Sequence, residues 1–554
     1  MLQFYTNEGD AVEGISDSGI ATFMNAPYAH VARECGQNSA DACKEKPVRI
    51  EFEKYEVDAK EFPAIEDYKS TISICLKRAE DDNDEKAISF FKRAKEVVYG
   101  EKIQILKISD FNTTGLVGPS VRGTAFHSLL KGSGVSRKDT NTSGGSFGIG
   151  KNATFAVSEL QTVFYSTLYC DQNTGDDLFL AQGKSVLISH ENSDGQPKRS
   201  IGYWGNENFQ PIDNMLDVPD WLKREEVGTS IHAIGFKASP TWQYQMAASI
   251  LSNFFHAILM GEMEFYIKDG QILINKDTIS EVFRDHNIRL AADLNNQLEA
   301  LDFAENLYRC LISEDTVEDI LQIDGLGEVS VKVLVNDGLD KRVAIIRNGM
   351  LITDNLTNFG DSFRRFAMYK DFIAVVEPKN KKGKALIRQL ENPSHDDLSA
   401  EWITDKAAKR LAIRAMKELK DGIREAIKSK TFTEPEDETD LDEMNEFFSE
   451  SYDSDKIPDP EAETNPEIIQ YSPPARKKKK KSPPEPEIIP GENGAGDGPT
   501  PEPNPDPSPP KPNPIPGPGP GSEPGNRGLS SPTEFFDVRN CTPSAQVGQI
   551  VHHC

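Results

Sequence analysis

Twenty-five of the chain's 35 prolines lie beyond Glu434, where large apolar residues become sparse. A segment of that composition cannot bury enough apolar surface to offset the entropy of ordering it, so the folded part is confined to about Met1 to Lys430. That length suits two domains of ordinary size. Beyond it, an acidic stretch, EPEDETDLDEMNEFFSE, leads through the basic cluster Arg476 to Lys481 to PEPNPDPSPPKPNPIPGPGPG. This predicts a disordered, partly extended linker over 432–532 and a short C-terminal segment, 533–554. His552, His553 and Cys554 close the chain as metal-ligand types, but without a fourth partner.

The 37% of hydrophobic residues can still build cores. With 62 Lys+Arg against 89 Asp+Glu the formal charge is −27, which disfavours wrapping nucleic acid around the whole surface while leaving room for a local basic patch. No apolar run approaches a membrane span, and MLQFYTNEGD does not have the form of a signal peptide. The reading is a cytoplasmic protein that uses no membrane. Cys35, Cys43, Cys75, Cys170 and Cys310 show no metal-ligand spacing and read as reduced thiols.

Asn25-Ala26-Pro27 predicts a helix start leading into YAHVARECGQNSADA. A strand is expected over Val48 to Val57, a charged helical stretch from about Ile65 to Val98, and a buried strand over Ile103 to Ile108 that stops at Ser109-Asp110. Helix is expected again over Lys151 to Leu160, then strands at Thr162 to Leu168, Lys184 to Ser189 and Thr229 to Phe236. A second α+β unit is read from about residue 238 to 397, opening near Trp242 with SILSNFFHAILMG. A long helix over about Leu398 to Ser429 follows, with Ile403, Ala407, Leu411, Ala415, Leu419 and Ile423 as its apolar stripe.

Glu34, Asn38 and Asp41, spaced i, i+4 and i+7, put a carboxylate, an amide and a second carboxylate on one helix face. Alone this would be a solvated stripe. A strand ending in Asp110 before FNTTGL and the loop SGGSFGIGKNA before a helix add to it. A carboxylate beside a turn can accept a hydrogen bond from an adenine amine, and glycines let backbone N–H groups approach phosphates. The loop nearly spells a P-loop, but Asn152 stands where a hydroxyl should face magnesium, and a polar loop precedes it instead of an apolar strand.

The order RECGQNSADA, SDFNTTGL, GGSFGIGKNA and EVGTSI resembles the four nucleotide-binding motifs of the GHKL ATPases, which include gyrase B, MutL, the heat-shock-90 chaperones and MORC proteins. The resemblance covers about Asn25 to Phe236 and implies a Bergerat-type α/β sandwich with helices on one face of a mixed sheet, binding ATP and Mg2+. Carried over motif by motif, Glu34 resembles the general base, Asn38 the magnesium ligand, Asp110 the adenine-reading carboxylate and Thr229 its support. Gly145, Gly148 and Gly150 are similar to the phosphate-lid glycines, and Lys151 is placed to meet a phosphate. Asp41 is read as structural.

Two departures stand out. Asn112 occupies the first glycine position of the family's Asp-x-Gly-x-Gly and Gly115 comes one residue late, although asparagine tolerates a left-handed turn. A charged helical insertion also precedes Asp110. Histidine kinases share the nucleotide site, but only His30 precedes it here, inside the binding helix.

Hydrolysing relatives follow the ATP domain with a transducer that sends a Lys or Arg to the γ-phosphate. VAIIRNGMLI and FIAVVEPKNKKGKALIRQLENPSHDD resemble that region in order, with Lys379, Lys381, Lys382, Lys384 and Arg388 as candidates and Lys384 taken as the donor. The closing helix carries Lys406, Arg410, Arg414, Lys417, Lys420, Arg424 and Lys428 as a basic stripe. The resemblance implies an ATPase that closes as a homodimer on ATP and acts on DNA, in a prokaryotic defence setting. A chaperone-like ATPase with a protein client, or a non-catalytic nucleotide sensor, are the alternatives.

Overall fold

The computed structural model describes residues 1–132, 150–392 and 397–432. Gly145, Gly148, the basic cluster at 476–481, the Pro-rich linker and the terminal His552, His553 and Cys554 lie outside the described residues.

The architecture is α+β, with two mixed sheets. Strands β1 (Leu2–Thr6), β2 (Val48–Asp58), β3 (Lys102–Phe111), β4 (Ser158–Cys170), β5 (Asp177–Val186), β6 (His190–Glu191), β7 (Pro197–Trp204), β8 (Gly228–Phe236), β9 (Met263–Ile267) and β10 (Ile272–Ile274) form a ten-stranded sheet. Its order is β1-β7-β5-β4-β8-β3-β2-β9-β10, with β6 against β7. Strand β9 runs parallel to β2 while the other neighbours are antiparallel. The chain therefore returns after Phe236 to add two strands to the first sheet before leaving it.

Small helical pieces line this sheet: α1 (Ser18–Ala21), α5 (Ala125–Leu130) and α6 (Ala153–Ala156). The main cover on one face is α2 (Pro27–Asp41) with α7 (Trp242–Leu259). Pro27 sits in the first turn of α2, where its missing N–H leaves no bond unmade. Gly36 lets the two helices meet, since a Cβ there would lie 2.7 Å from the Phe254 ring.

The opposite face is also covered, by the charged helical insertion that precedes Asp110. The charged stretch before Asp110 is two helices, α3 (Ile65–Asp81) and α4 (Glu85–Tyr99), separated because Asn83 turns left-handed at φ 54° and Asp84 caps the second by accepting from Ala87 N–H. Their apolar sides, including Tyr68, Ile72, Phe91 and Val98, bury Ile103 and Ile105 of β3, while Leu106 and Ile108 of the same strand face the α2–α7 core. The period of two along β3 divides its residues between two cores.

Helices α8 (Ile279–Val282), α9 (His286–Leu294) and α10 (Leu298–Ile312) lead to the second sheet: β11 (Val317–Ile323), β12 (Gly327–Val335), β13 (Arg342–Arg347), β14 (Met350–Thr353) and β15 (Phe372–Pro378), in the order β11-β12-β15-β13-β14. Helix α7 packs on β9 of the first sheet and β14 of the second, so one hydrophobic core runs through both. Helices α11 (Lys381–Leu390) and α12 (Lys406–Thr431) finish the described chain.

Two expectations are corrected. The helix after Gly150 is a 3-10 turn and the four-residue α6, and β4 begins at Ser158 instead of after Leu160. In α12 the buried residues are Ala412, Ala415, Met416, Leu419, Ile423, Ala426 and Ile427, whereas Leu411 is 55% exposed and Ala407 also faces solvent. A strict spacing of four drifts about 40° per step around a helix of 3.6 residues per turn, so it leaves the core. No helix of the described residues is long and apolar enough to cross a membrane.

Candidate functional site

Asp110 is the penultimate residue of β3, which pairs with β8, and it meets the C-terminal end of α2 through Ser39. Its Oδ1 accepts from the Thr113 hydroxyl at 2.6 Å and the Thr229 backbone N–H at 2.8 Å, and its Oδ2 accepts from the Ser39 hydroxyl at 3.2 Å. An ionised carboxylate offers about four acceptor positions, so the described partners leave one on Oδ2. Burial pushes the Asp110 carboxyl above the usual range, and the opposing influences are Arg224 first, then Thr113, Thr229 and Ser39.

The Ser39 bond ties β3 to α2, and α2 carries the other two site candidates. Glu34 is buried and Asn38, one turn on, is exposed. Glu34 packs onto the 3-10 turn that opens at Gly150: a Cβ at that glycine would lie 2.0 Å from Glu34 Oε2. A larger residue there would have to displace the Glu34 carboxylate. Asn38, Ser39 and Glu34 thus link the exposed amide, the β3 carboxylate and the Gly150 turn through one helix. Asp41, at the end of α2, lies in the field of Arg347 and Arg388.

The turn after Asp110 takes the left-handed conformation expected of it, with Asn112 at φ 62° and Gly115 at φ 67°. The Asn112 side chain donates to Pro47 O at 2.7 Å, and the Asn112 backbone carbonyl accepts from Lys44 and Glu45 N–H. It therefore fastens the turn to the loop before β2. A Cβ at Gly115 would meet Leu168 O at 2.7 Å.

Lys151 donates to Ser128 O at 3.3 Å and to Gly132 O, near the C-terminal end of α5. Burial lowers its pKa. Lys184 on β5, a strand residue that the sequence did not mark as a site candidate, donates to Leu130 O at 3.1 Å, and burial with Lys151 nearby pulls it down to about 8. Helix C-terminal carbonyls favour such cations.

In the second sheet Lys384 lies 3.7 Å from Glu377, and Lys379 shares that carboxylate at 3.2 Å. Arg347 and Arg388 are the cations of this unit whose charge acts on Asp41 of α2. Arg347 and Glu391 form a buried two-armed ion pair, the second arm at 2.8 Å. On α12, Arg414 pairs with Asp324, Arg424 with Asp361 and Lys420 with Asp421. That leaves Lys406, Arg410, Lys417 and Lys428 as exposed cations of the predicted stripe outside those pairs, with Lys428 over the Phe432 ring.

Three residues around Asp110 escaped the sequence reading. Ser39 and Thr113 are small polar neighbours of the motifs, and only the fold brings Ser39 to a carboxylate 71 residues away. Arg224 lies in LKREEV, where flanking charges make it resemble a surface residue, yet it is 5% exposed.

No protein-family model and no curated protein sequence matches the chain. Among solved structures, it is similar to the ATPase region of Saccharomyces cerevisiae topoisomerase II bound to ICRF-187 (dexrazoxane), at 8% identity and a TM-score of 0.31, covering 72% of this chain and 86% of that one. It is also similar to the ATPase and transducer domains of DNA topoisomerase II from Balamuthia mandrillaris, at 10% identity, a TM-score of 0.31, and 72% and 84% coverage. A third is the B-subunit of the DNA gyrase from Myxococcus xanthus, at 11% identity, a TM-score of 0.28, and 72% and 88% coverage.

Proposed function

We propose that the protein is a Mg2+-dependent ATPase of the GHKL type. The observation that carries this reading is that one helix, α2, is tied through Ser39 to a carboxylate with one acceptor position left over, Asp110, while it presents Glu34 against Gly150 and an exposed Asn38 amide. In it, the free position of Asp110 takes the adenine amine and Thr229 holds the carboxylate in place. Asn38 supplies one oxygen to magnesium, an ion that keeps most of its ligands as water and phosphate oxygens. When bound, the ion would neutralise phosphate charge. Glu34 orients and deprotonates the attacking water.

In this reading Lys151 leaves the α5 carbonyls to meet a phosphate, with Gly145, Gly148 and Gly150 lining the phosphates. Lys384 leaves Glu377 to reach the γ-phosphate. Asn112 and Gly115 shape the turn beneath the base. The further step is ATP-dependent closure of a homodimer that acts on DNA through Lys406, Arg410, Lys417 and Lys428, in the setting of defence. A protein client would leave the nucleotide chemistry unchanged.

Gel filtration with and without a nonhydrolysable ATP analogue, followed by DNA binding in both states, tests the reading. A nucleotide-dependent shift to dimer with salt-sensitive DNA binding is expected. ATP turnover with binding of unfolded protein and no affinity for DNA would transfer the assignment to the chaperone class. Absence of turnover, with ATP binding unchanged by Glu34→Ala, would make the protein a nucleotide sensor.

A further inference from the structure

Arg224 reaches the Asp110 end of β3 from the loop before β8. Its Nη1 donates to Ser230 Oγ at 2.7 Å, its Nη2 to the Asp110 carbonyl, and its Nε to Glu226 O at 2.8 Å. Ser230 bonds in turn to Ser109 at 2.9 Å. The guanidinium also lies 5.0 Å from the centre of the Phe111 ring, against which Arg49 packs at 4.1 Å. One side chain therefore holds residues 109, 110 and 111 at the end of β3.

Gly228 makes room for it. A Cβ at that position would lie 2.2 Å from Arg224 Nη2 and 2.5 Å from the Asp110 carbonyl. The glycine of EVGTSI is thus required by its φ of 141° and by the Asp110 carbonyl, and its bare backbone lets the arginine pass over it.

We propose that Arg224 is a positioning residue that keeps Asp110 an acceptor and so makes the site select a 6-aminopurine over a 6-oxopurine. This rests on the nucleotide reading above and deepens it. With Oδ1 filled by Thr113 and Thr229, selection falls to the remaining position on Oδ2. An ionised Oδ2 accepts from an exocyclic amine and repels a carbonyl oxygen. A protonated one can donate to the carbonyl. The charged and titratable groups facing this carboxylate are Arg224 and the Cys35 thiol of α2, while Glu226, Glu51 and Arg49 surround the arginine. Arg224 is thus the only cation among these in direct bond with the Asp110 residue.

The test is calorimetric titration of the full chain with Mg-ATP and with Mg-inosine triphosphate, which carries an oxo group in place of the amine. Wild-type protein should prefer ATP. Arg224→Met should lower the ATP-to-inosine-triphosphate preference by about tenfold, the consequence of roughly one unit in the carboxyl's proton affinity. Arg224→Lys should recover part of it, and Asp110→Asn, whose amide donates where the carboxylate accepted, should lower it as well. The ratio is internal to each variant, so loss of stability alone does not move it. An unchanged ratio in Arg224→Met, with ATP still preferred, overturns the role of Arg224 and leaves the nucleotide reading standing. Failure of the wild-type chain to bind either nucleotide overturns the nucleotide reading itself, and this inference with it.

Discussion

On the α3–α4 side of the large sheet, the hydroxyls of Tyr68, Thr162 and Ser185 close on one another. The Tyr68 hydroxyl sits 2.7 Å from Thr162 Oγ1, which lies 2.6 Å from Ser185 Oγ, all of it beneath Phe62, Phe164 and Trp204. On the α2 side, Asp110 is held by three donors and has one acceptor position left, and Asn38 is exposed beside it. Both faces bury polar groups with partners. What separates them is the surplus: a network that closes specifies a fold, and one that leaves a position open can take a ligand.

The contrast can be broken from either side. On the open face, Glu34→Gln should lower ATP turnover by about 10²- to 10⁴-fold, the usual contribution of a general base, with ATP affinity retained in an equilibrium titration. Parallel loss of affinity would show that Glu34 holds the ligand instead of activating water. On the closed face, Phe91→Ala, at a fully buried position of α4, should cost about 3–5 kcal/mol in denaturant unfolding. The nucleotide affinity of its folded fraction should stay at the wild-type value.

Acid should also affect the open face selectively. Because the Asp110 pKa is raised above the usual carboxylate value, the group takes up a proton as pH falls through that higher value. ATP affinity should then drop by about tenfold per pH unit below it. For stability the sign is opposite: the folded state binds this proton more tightly than the unfolded chain, so this group's contribution grows as pH falls through the same window. A titration series across mildly acidic pH, with unfolding measured in parallel, checks both directions.

The smallest expected effect concerns the exposed cations of α12. Changing Lys406 and Arg410 to Ala should reduce the slope of DNA affinity against salt by up to about 0.9 for each phosphate no longer neutralised. An unchanged slope would remove Lys406 and Arg410 from any DNA-binding role.

The parts of the site that could be read from the sequence are those whose spacing is local. Glu34 and Asn38 share a helix face, Asp110 ends an apolar run, and Asn112 turns left-handed where a glycine was expected. The parts that were hidden depend on distance along the chain. Ser39 acquires meaning only when β3 lies beside α2, and Arg224 only when Gly228 lets it pass. The fold shows the same division. The strands near Val48, Ile103 and Thr229 follow from apolar patterning, whereas β9 and β10 join the first sheet through a parallel pairing with β2 that no local signal encodes. In α12 the charges are obvious, but their partners Asp324 and Asp361 belong to other elements.

Titration of Mg-ATP into the wild-type chain and into Asp110→Ala, by calorimetry, tests the nucleotide assignment most directly. Saturable binding to wild type, weakened at least about tenfold in the variant as expected for loss of a charge-assisted hydrogen bond, is the predicted result. Equal binding by the two proteins, or no saturable heat from well-folded wild type, would contradict it.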